Sequence, residues 1–140
     1  MANSKKKVYV VMLNTPRLGI QLLGTFASKD ATDSFIADHK AFLNAEYENA
    51  KKLLSVSYQL FTEVVSTIEE SNAPKDDEAW TDHVKALLAN KFPQYEYDKF
   101  VVDLKEGRKI TRLEAMCSYS SYTVYETVLG EAKHQLPKNL

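Results

Sequence analysis

Three histidines and one cysteine are the side chains of this 140-residue chain best suited to acid–base, metal-binding or nucleophilic chemistry. No two histidines fall within one helical turn, and the chain contains no HExxH motif and no cysteine–histidine pairing. Zinc sites need closely spaced ligands of these types, so we expect no metal site. His39 has phenylalanine, isoleucine and leucine around it at helical spacing, which predicts a packed, hydrogen-bonded histidine.

The sequence also lacks a pattern for nucleophilic catalysis or phosphate cradling. Cys117 has no basic neighbour, and a free cysteine most often behaves as a small buried apolar side chain. The serines at 118, 120 and 121 lie in no GxSxG motif, and the four glycines are too scattered to form a phosphate-binding loop. We therefore expect no catalytic residues, no cofactor and no enzymatic activity. A small enzyme of unknown class is the third alternative.

Basic residues beside two predicted turns are more informative. Arg108, Lys109 and Arg112 lie in or after the second turn, and Arg17 lies in the first. If the strands around both turns join one sheet, these side chains converge on a basic sheet edge, where arginine forks match phosphate oxygens. Tyr119 can stack on a base there. These five residues are the predicted binding site for a phosphate-bearing, nucleotide-like small molecule. The absence of an RNP-like motif and a pI of about 6.3 argue against nucleic acid as a partner.

Two strands joined by a turn are predicted near the start of the chain. Residues 8–13, VYVVML, are apolar on both faces, which is typical of a central strand covered by two layers. Pro16 suits a turn over residues 14–17, because its ring presets φ and it cannot donate to a strand ladder. Residues 18–26 alternate apolar and polar positions. We expect a β-hairpin covered on one face by helices and on the other by the C-terminal segment or a second subunit.

About three helices are predicted in the middle of the chain. Asp30 can cap the first, and Asn44 is interpreted as a break or a new cap. An apolar stripe at steps of three or four over residues 47–68 predicts a helix over about 45–71. At 1.5 Å per residue this helix would be about 40 Å long, which suggests contact with another molecule. The acidic residues 76–78 suit the positively polarised start of a third helix.

A second hairpin is predicted to return to the sheet after the helices. Residues 95–104 and 109–116 are interpreted as strands, with a tight turn at 105–108 that contains Gly107. This hairpin would bring the basic residues 108–112 to the sheet.

The segment CSYSSYTVY, residues 117–125, can be a strand, a hinge or a helix. Its valine, threonine and tyrosine favour a strand, whereas the residues before and after it favour a helix. One alternative is a helix capped by Thr111 and Glu114. We predict that the strand continues to about Tyr119 and that a short covering helix begins at about Thr123.

Size and composition are those of one domain spanning residues 1–140, with 135–140 as a frayed tail. Five basic and no acidic residues occur up to 29, then 15 acidic and seven basic residues up to 103. This segregation would result if acidic residues simply occur more often in the helices. It would also result if the fold carries opposite charges on opposite sides. The lone cysteine fits a reducing compartment, and the first apolar run is too short for a signal peptide or a membrane span. We expect a cytoplasmic protein with no membrane partner.

These patterns together predict an α+β fold, in which an antiparallel sheet from an N-terminal and a C-terminal hairpin packs on about three central helices. The expected function is that of a small non-enzymatic interaction protein, which binds a protein partner or itself as a homo-oligomer. The alternative is binding or sequestering a phosphate-bearing small ligand at the basic sheet edge.

Overall fold

The computed structural model describes residues 7–128, which divide into two compact units. One unit contains the described residues up to Phe42 and those from Ala115 onward, and the other runs from Leu43 to Glu114. Both boundaries fall inside helices, and each unit is described by itself below. A single domain over 1–140 stays a prediction.

Four helices and three strands make up the described chain, and the predicted α+β fold class with an antiparallel sheet is confirmed. In chain order they are β1 (Lys7–Thr15), β2 (Gly19–Phe26), α1 (Lys29–Lys52), α2 (Tyr58–Glu70), α3 (Asp77–Lys91), α4 (Tyr97–Tyr119) and β3 (Ser121–Val128). Within residues 7–128, no helix is long and apolar enough to cross a membrane.

The sheet has the order β2-β1-β3, with both neighbours antiparallel to β1. The predicted N-terminal hairpin and the central position of its first strand are therefore confirmed. The turn between the strands closes with the Leu18 N–H donating to the Thr15 carbonyl at 3.0 Å. Pro16 supplies the second residue of this turn, and Arg17 follows it at φ 70°. A bulge in β2 opposite Val11 and Met12 shifts the register of the hairpin.

The two faces of β1 have different surroundings. Val11, Leu13 and Thr15 point to one face and are almost completely buried, at 0, 1 and 3% exposure. On this covered face, the ring of Phe26 packs on Phe35 of α1 with 4.7 Å between centroids. The alternate β1 residues between Val8 and Asn14 point to the other face and are half-buried or exposed.

Two boundaries of the predicted helices are wrong. α1 runs through Asn44 without a break, and the predicted helix over 45–71 is instead interrupted at residues 53–57. Ser57 restarts the chain as the N-cap of α2, with its hydroxyl accepting from the Leu60 N–H. The apolar stripe could not reveal this interruption, because buried residues on both sides of it contact the same core. Because residues 45–71 do not form one helix, the length of this segment does not indicate an intermolecular contact.

The predicted C-terminal hairpin is also wrong. Residues 97–119 form one helix, α4, so neither the strands at 95–104 and 109–116 nor the turn at 105–108 exist. The buried positions of α4 are Phe100, Asp103, Ile110 and Leu113, which have the spacing of one helix face. The alternation that suggested a strand is local, and Val102 within it is 62% exposed.

The end of the chain reverses the predicted order of strand and helix. Tyr119 ends α4, and SYTVYETV forms the edge strand β3 against β1. The strand preference of valine, threonine and tyrosine prevails here because β1 offers a free edge for pairing. The helix predicted from Thr123 is wrong as far as Val128. Its remainder and the predicted tail at 135–140 lie outside the described residues.

The helical unit has its own core, built from α2, α3, α4 and the second half of α1. A buried carboxylate lies within it, since Asp103 is 2% exposed. Its oxygens accept hydrogen bonds from the backbone N–H of Ser55 at 3.1 Å and from the Ser55 hydroxyl at 2.6 Å. The Tyr95 hydroxyl also donates to it. These bonds fasten the interruption between α1 and α2 to α4.

Candidate functional site

A groove of about 390 Å³ opens between α2 and α4 in the helical unit. A second depression of about 210 Å³ shares four residues with it, so that the concave surface continues along the same two helices. Volumes of this order are typical of small-ligand sites. The groove is lined by Phe61, Val65, Leu104, Gly107, Arg108, Thr111 and Arg112.

One face of α4 supplies most of this lining. Leu104, Gly107, Arg108, Thr111 and Arg112 follow one another at steps of three, one, three and one, which places them on the same side of a helix. This spacing was visible in the sequence. The predicted turn at 105–108 breaks this helical spacing, so the sequence prediction does not place Leu104 and Thr111 beside the two arginines.

Gly107 allows α4 to approach α2 closely at this point. A Cβ atom at Gly107 would lie 2.6 Å from Cζ and 2.9 Å from Cε2 of Phe61, closer than carbon atoms can pack. The missing side chain therefore gives the Phe61 ring its place beside the α4 backbone. The glycine was expected to supply a turn, but its role is to make room inside a helix.

The polar part of the groove is cationic. Arg108 and Arg112 are both exposed and lie one helical turn apart. Residues 105–112 contain four basic side chains and one acidic side chain, Glu106. Within residues 7–128, neither arginine forms a salt bridge. Two like charges at this spacing disfavour each other, and an anion bound between them would relieve that repulsion.

The five predicted ligand-binding residues are distributed over both units. Arg108 and Arg112 line the groove, whereas Lys109 lies on the same helix but not in the lining. Arg17 is in the β1–β2 turn and Tyr119 ends α4, so both belong to the sheet-containing unit, and neither lines the groove. The basic residues of 108–112 lie on a helix, so the predicted basic sheet edge does not contain them.

The sheet-containing unit carries a different kind of surface, which we call the open face. It is the side of the sheet opposite Val11 and Leu13, and its strand pairing places Met12 beside Leu22 and Val10 beside Tyr125. Ile20, Leu22 and Tyr125 are 67, 60 and 55% exposed. Its side chains are apolar or hydroxyl- or amide-bearing, and none is charged: Val8, Val10, Met12, Asn14, Ile20, Leu22, Thr25, Ser121, Thr123, Tyr125 and Thr127.

Within residues 7–128, the bulge in β2 is the main feature that protects the edges of this sheet against pairing, because the two edge strands carry few charges and no proline. β2 is an edge strand of eight residues, GIQLLGTF, without a charged residue or a proline. β3, at the other edge, carries one charge, Glu126, which Lys7 neutralises across a 2.9 Å salt bridge. Natural edge strands commonly carry lysine or proline, because unpaired backbone groups otherwise template another strand.

His39 is packed and hydrogen-bonded, as its sequence context predicted. Its Nδ1 lies 2.6 Å from the Tyr122 hydroxyl, and the rings of Phe35 and Phe42 lie on either side of it. Burial lowers the pKa of His39 below its ordinary value. Burial also raises the pKa of the nearby Cys117 thiol. A raised pKa disfavours the thiolate, so the Cys117 environment does not suit a nucleophile.

Residues 7–128 contain no group of three or more histidine, cysteine, aspartate or glutamate side chains placed to hold a metal ion. The oxygens of the buried Asp103 carboxylate accept hydrogen bonds from Ser55 and Tyr95, which gives this residue a structural role. Compared with protein families, curated proteins and solved structures, the chain matches none.

Proposed function

We propose that this is a non-enzymatic interaction protein that acts as a homo-oligomer, with a second copy bound at the open face of the sheet. The observation that carries the proposal is the exposure of Ile20, Leu22 and Tyr125 on the sheet face opposite the one that packs on α1, a face that no helix of residues 7–128 buries. Contiguous exposed apolar surface of this kind marks interaction sites in proteins. The first strand, apolar on both faces, needs a second covering layer that the described chain does not supply.

The charge of the open face favours a second copy over a different partner. A two-fold interface brings the same patch of each subunit together, so any charge on the patch would meet itself. The open face has no charged side chain, whereas charged residues make up 26% of the chain. The cores of interfaces between proteins are depleted of charge in the same way. The edge of β2, which has no charged residue and no proline, adds backbone groups that a second β2 can pair with.

Light scattering coupled to size-exclusion chromatography tests this proposal over a range of protein concentrations. We expect the wild-type protein to run as an oligomer and the double variant Ile20→Lys/Leu22→Lys to run as a monomer, because lysines on the open face would repel across a two-fold axis. Leu53→Lys is the matched control. Leu53 is 66% exposed, close to the 67% of Ile20, but it lies in the helical unit. Circular dichroism checks that each variant is folded.

A wild-type protein that stays monomeric at several hundred micromolar would contradict self-association. If the Leu53→Lys control dissociates the oligomer as completely as the double variant, the interface is not the open face.

A second candidate function is the binding of a phosphate-bearing small ligand, and the observation that favours it is the convergence of Arg108 and Arg112 on one groove. Arginine forks bind phosphate oxygens with two parallel hydrogen bonds. Arg17, Lys109 and Tyr119, also predicted as ligand-binding residues, lie outside the groove lining, so this proposal assigns the phosphate contacts to Arg108 and Arg112 alone. A thermal-shift series with inorganic phosphate and nucleotides tests it, and an unchanged response in Arg108→Gln/Arg112→Gln would remove the site.

We place the protein in the cytoplasm in both proposals. A reducing compartment suits a chain whose only cysteine, Cys117, has no second cysteine to pair with.

A further inference from the structure

The lining of the groove favours hydrocarbon over a nucleobase. A base is recognised through hydrogen bonds to its edges or through stacking on an exposed ring. Apart from the two arginines, Thr111 is the lining residue with a polar side chain, and its hydroxyl already donates to the Gly107 carbonyl at 2.9 Å. Phe61 is 6% exposed, so its ring offers little face for stacking. The remaining wall consists of Val65, Leu104 and Gly107, which offer a ligand no polar side-chain group.

The groove separates its apolar and cationic parts along the helix. Leu104 lies one turn before Arg108, and Arg112 follows one turn later, about 6 Å further along α4 at 1.5 Å per residue. A ligand with its charge at one end can therefore place that charge on the arginines while its apolar part runs along α2. The adjoining depression carries the hydroxyl groups of Tyr58, Thr62 and Ser66, so the apolar part of the ligand is placed in the groove itself and not in this depression.

We infer that the groove between α2 and α4 binds a free, single-chain amphipathic anion, with an alkyl or acyl chain on Phe61, Val65 and Leu104 and an anionic head group on Arg108 and Arg112. This inference rests on the second candidate function and names its ligand class. The head can be a phosphate or a carboxylate, since both accept a bidentate arginine contact. The occupant is a monomer in solution, because the groove is a concave site between two helices and not a flat basic surface.

Isothermal titration calorimetry with hexyl, octyl and decyl phosphate, below their critical micelle concentrations, tests the inference on the full chain. Complete burial of a methylene is worth about a fourfold change in affinity, and burial in an open groove about half of that free energy. We therefore expect the dissociation constant to fall about twofold per methylene, or roughly 16-fold from hexyl to decyl phosphate, with one ligand per chain. Decanoate, which has a carboxylate in place of the phosphate, should also bind with one ligand per chain.

Three variants locate the ligand. The double variant Arg108→Gln/Arg112→Gln should raise the dissociation constant for decyl phosphate at least tenfold. Lys109→Gln is the matched control for the double variant, since Lys109 is a basic residue of the same helix outside the lining. Its affinity for decyl phosphate should stay within twofold of the wild-type affinity. Ile20→Lys/Leu22→Lys should also leave the affinity unchanged. If that sheet variant abolishes binding, the alkyl chain binds the open face and the groove assignment is overturned.

The ligand series separates this inference from the proposal it rests on. If inorganic phosphate or ATP binds in an arginine-dependent way and longer alkyl chains do not increase affinity, the anion site stands. The inference that the ligand is amphipathic is then overturned. Decanol binding as tightly as decyl phosphate would overturn the role of the arginines. Binding to phosphatidic acid vesicles without binding to monomeric decyl phosphate would show a membrane surface as the partner. If none of these compounds binds, both the anion site and the amphipathic ligand are wrong.

Discussion

The hydroxyl of Tyr95 donates a 2.5 Å hydrogen bond to Oδ2 of Asp103, inside the core of the helical unit. Tyr95 precedes α4 and Asp103 belongs to it, so the bond ties the approach of the helix to its second turn. Ser55 completes the network from the interruption between α1 and α2. The buried carboxyl group is thus kept in the core by hydrogen bonds donated by the Ser55 N–H, the Ser55 hydroxyl and the Tyr95 hydroxyl.

Replacing Asp103 with asparagine should destabilise the protein. The amide keeps the shape of the side chain but turns one acceptor into a donor, which then faces the donors of Ser55 and Tyr95. We expect a loss of about 2–4 kcal/mol in the free energy of unfolding, measured by urea denaturation. Asp98→Asn, an exposed acid in the first turn of the same helix, should cost under about 1 kcal/mol. Equal losses in both variants would contradict the importance of the network.

Tyr95→Phe should have an effect that depends on alkaline pH. Burial, together with the hydrogen bond to Asp103, raises the pKa of Tyr95 above its ordinary value of 10.0. The unfolded chain therefore loses this proton first, so the stabilising contribution is complete below pH 10 and is lost as the pH rises. We expect the free energy of unfolding of the wild type to exceed that of Tyr95→Phe by about 1.5–3 kcal/mol at pH 8. This difference should shrink by about 1.4 kcal/mol per pH unit above pH 10. A constant difference would show that the tyrosine does not titrate as described.

His39 should make stability fall in mild acid. Burial lowers the pKa of His39 below 6.5, so the unfolded chain takes up this proton before the folded protein does. The contribution to stability is complete above pH 6.5 and is lost as the pH falls below it. His39→Gln should reduce the slope of unfolding free energy between pH 7.5 and 5.5. Tyr122→Phe is the control, because it removes the hydrogen bond but keeps the titrating ring, and should retain the slope.

Gly107→Ala should destabilise the helical unit, although alanine is the better helix former. The new Cβ would meet the Phe61 ring at 2.6 Å, and overpacking of this kind costs about 1–3 kcal/mol, against about 1 kcal/mol gained in helix propensity. We expect a net loss of about 1 kcal/mol in urea denaturation. In a Phe61→Leu background the sign should reverse, since the ring edge is gone. A stabilising Gly107→Ala in the wild-type background would contradict the close approach.

Arg17→Gly should stabilise the β1–β2 turn. Arg17 has φ 70° after Pro16, at a turn position that glycine occupies without strain. Glycine removes the strain of the left-handed conformation, which stabilises the folded protein by about 1–2 kcal/mol. The greater conformational entropy that glycine gives the unfolded chain offsets about half of this stabilisation. We expect a rise of about 0.5–1 kcal/mol in unfolding free energy. The same variant should leave decyl phosphate affinity unchanged, and a loss of affinity would return Arg17 to the ligand-binding site.

The sequence by itself determined the elements whose pattern and pairing are local. Alternation in residues 18–26 and the proline in the turn predict the β1–β2 hairpin, because both strands and their connection are adjacent in the chain. The apolar stripe of residues 47–68 predicts helix for the same reason, correctly on both sides of residues 53–57 but not at the interruption itself. The setting of His39 among phenylalanines also follows from helical spacing.

Only the tertiary structure decided the elements that depend on distant partners. β3 is a strand because β1, more than 100 residues earlier, offers it an edge, and no local pattern carries that information. Residues 97–119 alternate like a strand over a short window, but they bury one helical face against α2 and the rest of the core. The groove follows from that packing, since Arg108 and Arg112 face Val65 only when α4 is a helix whose Gly107 admits the Phe61 ring.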